Sequence, residues 1–240
     1  MGPNKTVNVF LNEELVILEL SKYIERTAEE VINRNELFKV GLSGGSLVNF
    51  LSKGLPTIRT DWSKWRFFFC DERVVPFESN DSTFGLYRSS LIGTVPITED
   101  QFIKINPDLP ADQAAKDYIQ KMVFYFPPDE LPRFNLLFLG MGPDGHTCSL
   151  FPGHRLLEET SVWVASIFNS PKPPPSRITF TFPVINNAEN CVFVATGQGK
   201  AEMVKRIVKD NEPLPAARVK PTEGRIYWFL DEGAASLLDL

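Results

Sequence analysis

Apolar and polar positions along this chain fall into two alternating patterns. Residues 13–34 carry Ile17, Leu20, Ile24, Ala28 and Val31 at steps of three and four, with charges on the opposite side, the period of a surface helix. A short apolar run, Phe38–Leu42, then predicts a strand, followed by a helix from about Leu47 to Leu51. The alternation recurs. A strand through Phe67–Phe69 precedes a helix near Thr83–Ile92, and a weaker strand at Gln101–Ile105 precedes a helix over Ala111–Tyr125 that Pro127-Pro128 stops. Leu136–Leu139 has no polar alternation, which predicts burial on both faces. Further strands are predicted at Val162–Ile167, Arg177–Phe182, Cys191–Ala195 and Ile226–Leu230, with a helix over Lys200–Lys209 and another at the C-terminus. Strands separated by helices imply an α/β fold with a mostly parallel central sheet and helices on both faces. At 240 residues the expectation is a single domain spanning residues 1–240.

In open sheets of this kind, ligands sit beyond the carboxyl ends of the strands. Four strands end in unusual polar sequences: Ser43-Gly44-Gly45-Ser46 after Leu42, Asp71-Glu72-Arg73 after Cys70, Asp144-Gly145-His146 after Leu139, and Thr196-Gly197-Gln198-Gly199-Lys200 after Ala195. If the strands are parallel, all four sequences meet on one edge.

Each motif has competing readings. Gly41-Leu42-Ser43-Gly44-Gly45 fits the GxSxG nucleophile elbow, with Ser43 as nucleophile and His146 as its base. The same residues fit a phosphate cradle, in which Gly44 and Gly45 let backbone amides approach an anion at a helix N-terminus. They also fit a plain tight turn with an N-cap serine. Gly140-Met141-Gly142-Pro143-Asp144-Gly145 matches GxGxxG after a strand, but Pro152-Gly153 interrupts the long helix that a dinucleotide fingerprint requires. Asp144 and His146 suit a general base and its orienting carboxylate. His154 reads as a hydrogen-bonded turn residue. Arg73 could clamp a phosphate or carboxylate through two parallel hydrogen bonds, and Lys200 follows two glycines at a helix start, a good anion-facing position. The Pro171–Pro175 tract, PKPPP, reads as a stiff surface loop.

Composition removes several classes of function. Net charge is −5 without long runs of either sign, which argues against general nucleic-acid binding. Two histidines without HxxxH or Cys/His spacing disfavour a metal centre. Three cysteines, Cys70, Cys148 and Cys191, read as reduced buried thiols, and nothing beyond its place near His146 marks Cys148 as a nucleophile. No apolar stretch is long enough to span a bilayer. Gly2 and Thr6 match a loose myristoylation pattern, which Pro3 weakens, and a sequence left over from expression reads as well. The expectation is a soluble, cytoplasmic monomer that binds neither nucleic acid nor membrane.

Taken in order between residues 42 and 207, the blocks LSGGS, CDERVVPFESNDSTFGLYR, LLFLGMGPDGHTCSLFPGH, SPKPPPSRITFTFPVI and VATGQGKAEMVKRI resemble the 6-phosphogluconolactonase family, especially its eukaryotic cytosolic form. The resemblance implies one Rossmann-like α/β domain of the glucosamine-6-phosphate isomerase/deaminase superfamily. It implies hydrolysis of 6-phospho-D-glucono-1,5-lactone to 6-phosphogluconate in the pentose phosphate pathway, with a small sugar-phosphate lactone as partner and no cofactor or metal. His146 then corresponds to the proposed general base with Asp144 beside it, and Ser43, Gly44 and Gly45 to phosphate-loop positions. Arg73, Arg177 and Lys200 match basic substrate contacts, and Asp71 joins the substrate-binding set. The deaminase branch is the nearest alternative. It follows its DGH motif with Asn-Glu-Pro, where this chain has Ser149–Gly153, and its Asp-Glu pair with tyrosine, where this chain has Arg73. A non-catalytic sugar-phosphate-binding protein on the same scaffold would lose the Asp-Gly-His pair, which this chain keeps.

Overall fold

The apolar runs assemble into two sheets. The computed structural model describes residues 4–239, so Gly2 and Pro3 of the lipidation pattern lie outside it. Its strands are β1 (Asn4–Phe10), β2 (Phe38–Leu42), β3 (Trp65–Phe69), β4 (Asp71–Arg73), β5 (Leu136–Leu139), β6 (Val164–Ile167), β7 (Arg177–Phe180), β8 (Asn190–Ala195) and β9 (Arg225–Asp231). The helices are α1 (Glu13–Ile32), α2 (Ser46–Gly54), α3 (Thr83–Leu91), α4 (Ala111–Met122), α5 (Phe182–Ile185), α6 (Ala201–Val204) and α7 (Glu232–Ala235).

Six strands form a parallel sheet in the order β1-β9-β8-β5-β2-β3. The absence of polar alternation in β5 has the expected consequence: Leu136 and Phe138 enter one core, Leu137 and Leu139 the other, and all four are buried. β3 and β8 divide in the same way, with Phe67, Phe69, Val192 and Val194 on the α1–α3 side and Phe68, Cys191 and Phe193 on the other. Burying each such side chain contributes roughly 1.5–3 kcal/mol, so the strands are held from both faces. Gly41 interrupts β2 for a packing reason. A β-carbon there would collide with Leu137 and press on the Cys70 thiol.

Strand order places the functional loops. From β2 the chain moves outward to β3, whereas from β5 it continues to β8 on the opposite side. The neighbouring strands β2 and β5, paired through Val40 with Leu136 and Gly41 with Leu137, therefore form the switch point of the sheet. The Ser43–Ser46 and Gly140–His146 loops leave side by side from their carboxyl ends.

The second sheet is antiparallel, in the order β4-β7-β6. Cys70 joins it to the first: its amide donates to Leu42 O (2.8 Å) and its carbonyl accepts from Phe180 N (2.7 Å). The strands predicted at Val162–Ile167 and Arg177–Phe182 belong here rather than to the parallel sheet. The latter ends at Phe180 because Pro183 opens α5. The weak strand predicted at Gln101–Ile105 does not form. Thr98 and Gln101 make a capping box, and Gln101 Nε2 donates to the carbonyls of Trp62 and Trp65, which leaves a single bridge between Phe67 and Phe102. The Lys200–Lys209 helix is present but winds as α6 followed by a wider π turn over Lys205–Lys209. β1, which the sequence reading did not anticipate, is an edge strand paired with β9.

Candidate active site

The β2–α2 connection has its sharp bend at Gly45, whose φ of 70° belongs to the left-handed region that glycine tolerates. A nucleophile elbow would put that strained turn at the serine itself. Here Ser43 is outside it and only 3 % exposed, its carbonyl accepts from Tyr87 Oη (2.9 Å), and among the described residues its Oγ has no hydrogen-bond partner. The opening amides of α2 ahead of Val48, whose N–H already donates to Gly45 O (3.2 Å), have no carbonyl one turn back. Glycine at position 44 keeps the loop close to β4 and α3. A β-carbon there would lie 3.1 Å from Thr83 Oγ1 and 3.9 Å from an Arg73 Nη2. Thr83 Oγ1 and Arg73 Nε are also buried without partners, although Arg73 Nη1 donates to Asp81 O (2.9 Å).

Arg73 is held there by its neighbour. Glu72 is fully buried, and its carboxylate accepts from the amides of Arg73 (2.8 Å), Thr83 (2.8 Å) and Phe84 (2.7 Å), which caps α3 and fixes it against β4. Burial pushes this carboxyl up to about 7, although the three amides favour its charged form. Asp71, also buried, accepts from Ser149 Oγ (2.8 Å), and Ser149 Oγ is 3.4 Å from Arg177 Nη1.

The β5 loop brings the acid and the histidine together. His146 Nδ1 lies 2.5 Å from Asp144 Oδ1. This places the ring proton on Nδ1 and leaves Nε2 as the basic nitrogen; among the described residues nothing hydrogen-bonds to Nε2. The imidazole packs against Phe151, with ring centres 4.7 Å apart, and lies so close to Gly142 that a β-carbon there would collide with its Cε1 and Nδ1. Burial lowers the His146 pKa against the opposing effect of Asp144. Burial also opposes the charge on Asp144, yet the hydrogen bond and charge of His146, with help from Lys172, bring its carboxyl down to about 2.

Ser43, Gly44, Gly45, Asp71, Arg73, His146, Arg177 and Lys200 all line one cleft of about 200 Å³, with Asp144 behind His146. Lys200 Nζ donates to Met141 O (3.1 Å), tying the β8 loop to the β5 loop; burial, followed by repulsion from Lys172, lowers its pKa. Arg177 is 3 % exposed and its guanidinium is directed largely at backbone carbonyls. Cys148 lines the cleft too, but its thiol is held protonated by a hydrogen bond with Cys70 and by burial. His154 lies elsewhere, where its Nδ1 accepts from Leu156 N (3.3 Å) and caps a 3-10 turn. A larger groove of about 330 Å³ between α4 and β6 contains none of these loops, so volume alone does not locate the chemistry. Among the described residues no three His, Cys, Asp or Glu side chains cluster as metal ligands. Sequence reasoning left Lys172, Ser149 and Glu72 without roles. The available signal was one lysine inside a rigid proline tract and a second acid, Glu72, between Asp71 and Arg73 directly after an apolar run.

The glucosamine-6-phosphate isomerase/6-phosphogluconolactonase family model matches residues 11–228. This chain belongs to that family. It is 49 % identical to human 6-phosphogluconolactonase over 240 residues, covering 97 % of this chain and 93 % of the relative. Its identity to the Bos taurus 6-phosphogluconolactonase is 53 % over 208 residues, 84 % of this chain and 81 % of that one. Among solved structures, 6-phosphogluconolactonase from Trypanosoma brucei superposes with a TM-score of 0.85 at 26 % identity, covering 98 % and 99 % of the two chains.

Proposed function

We propose that this protein hydrolyses 6-phospho-D-glucono-1,5-lactone to 6-phospho-D-gluconate, the second step of the oxidative pentose phosphate pathway. The observation that carries the reading is that two different chemistries open on one cleft. At one end stand donors without partners, Ser43 Oγ and Arg73 Nε beside the first amides of α2; at the other stands the His146–Asp144 pair.

The phosphate is received at the first end, where helix amides and a guanidinium both favour an anion. Its binding energy positions the C1 carbonyl near His146. Nε2 of His146 takes a proton from water as the water oxygen bonds to C1, and the carbonyl electrons move onto oxygen. Backbone amides or a rim cation stabilise that oxyanion. The carbonyl re-forms, the bond from C1 to the ring oxygen breaks, and the imidazolium returns its proton to that oxygen. A positioned base contributes about 10²–10⁴-fold and an oxyanion donor about 10²–10³-fold, which suffices for a cyclic ester that already opens slowly in water. Ser43 serves as a phosphate ligand and needs no covalent role. Asp71, Arg177 and Lys200 complete the substrate-binding wall. The deaminase reading is weaker because Ser149 is bonded to Asp71, and Arg73 rather than a tyrosine faces the glycine loop.

The chain is read as one domain acting as a monomer in the cytoplasm. Its three cysteines are free and buried, and no helix among the described residues is long and apolar enough to cross a membrane. Light scattering should then give the 27.1 kDa of one chain. The deciving measurement for function is lactone hydrolysis with the spontaneous rate subtracted. Rapid opening of the phosphorylated lactone and slow opening of plain gluconolactone are expected. No acceleration of the phosphorylated lactone would overturn the proposal, and ammonia release from glucosamine 6-phosphate would favour the deaminase.

A further inference from the structure

Lys172 belongs to the proline tract between β6 and β7, yet its Nζ reaches the β5 loop. It lies 3.2 Å from Asp144 Oδ1 and 3.2 Å from His146 Nδ1. The backbone that delivers it is held on several sides. Arg177 donates through Nη2 to the carbonyls of Lys172 (2.9 Å) and Pro173 (2.8 Å) and through Nε to that of Pro174 (2.9 Å). Ser170 Oγ donates to Lys172 O (2.8 Å).

An ammonium carries donors only. It can bond to Asp144, but with the Nδ1 proton directed at that same carboxylate its approach to the ring is one of charge alone. The geometry points to Lys172 as a positioning residue for the base: it anchors Asp144 and, by standing beside the imidazole, opposes protonation of His146. This deepens the lactonase proposal and rests on its reading of His146.

The charges facing His146 come from several elements. Asp144 on its own loop and Asp71 from β4 favour the imidazolium. Lys172 opposes it, and Arg73, Arg177 and Lys200 face the same cleft from β4, β7 and the loop after β8. Burial is the largest influence holding His146 below the ordinary histidine value, and Lys172 acts in the same direction. Removing Lys172 therefore raises the midpoint twice over, by deleting a cation and by freeing Asp144 to attract the imidazolium. Because a base must be unprotonated to act, the acid limb of kcat/KM should move to higher pH with it.

The chain's two histidines allow a direct reading by NMR titration of the imidazole resonances, with His154 as internal control. Lys172→Met should raise the His146 midpoint by about half to one pH unit, three- to tenfold in proton affinity, shift the acid limb of kcat/KM equally and leave His154 unmoved. Lys172→Arg should restore the low midpoint, and Lys172→Gln replaces Met if that variant does not fold. A His146 midpoint unchanged in the folded neutral variant, or raised equally by Arg, overturns the proposal. The titration needs no turnover, so the two readings fail separately: full activity in His146→Ala would sink the base assignment and leave the midpoint shift standing.

Discussion

The two ends of the cleft differ in how their polar groups are satisfied. At the Ser43–Gly45 end, Ser43 Oγ, Thr83 Oγ1 and Arg73 Nε are buried without partners among the described residues. At the His146 end, Asp144 holds the imidazole, Lys172 holds Asp144, Arg177 holds the Lys172 loop, and Lys200 holds Met141. A buried group without a partner costs about 1–3 kcal/mol, so the first end is destabilised until something supplies acceptors. The second end is organised in advance, as acid–base chemistry requires when atoms must be placed within a fraction of an ångström. In the proposed lactonase, one end binds and the other reacts.

Substitutions separate the two ends. The largest effect belongs to His146→Ala, which should lower kcat/KM by about 10²–10⁴-fold with circular dichroism unchanged; near-normal turnover breaks the division. Gly142→Ala should come next, since its methyl must displace the imidazole, and a misplacement of about 1 Å costs on the order of 10²-fold. Its loss should fall on kcat, and a loss confined to KM would contradict the collision. At the binding end, Arg73→Met should raise KM for the phosphorylated lactone by about 10–100-fold, the worth of one charged hydrogen bond, and erase the preference over plain gluconolactone. Ser43→Ala should be mildest, raising KM about two- to tenfold. Its unfolding free energy, read by urea denaturation, should stay level or rise, because the deleted hydroxyl has no partner to lose. A clear destabilisation there would mean that the hydroxyl already supports the fold.

The parallel sheet was legible because its strands are buried on both faces and so read as unbroken apolar runs, as at Leu136–Leu139. Convergence of the loops after β2, β3, β5 and β8 followed from strand direction alone. The antiparallel sheet was less legible. β4 is three residues long and polar, so Asp71–Arg73 read as a strand end rather than a strand. Its partner β7 starts at Arg177, opposite Arg73, a register that no local pattern encodes. Lys172 escaped notice for the same reason, since its contacts lie 26 and 28 residues away in a different loop. Glu72 escaped because the sequence marks it as charged, whereas its environment is the inside of the molecule. The Gln101–Ile105 run misled because a side chain took the place of backbone pairing, an outcome of tertiary context that apolar spacing does not register.

All three cysteines are buried and unbridged, with Cys70 at the seam between the sheets, Cys148 at the cleft and Cys191 in β8. A thiol reagent added to the native enzyme therefore reads out breathing motions: each sulfur is labelled at the frequency with which its surroundings part. Slower labelling of Cys148 in the presence of 6-phosphogluconate, with Cys191 unaffected, would time the opening of the cleft separately from that of the fold.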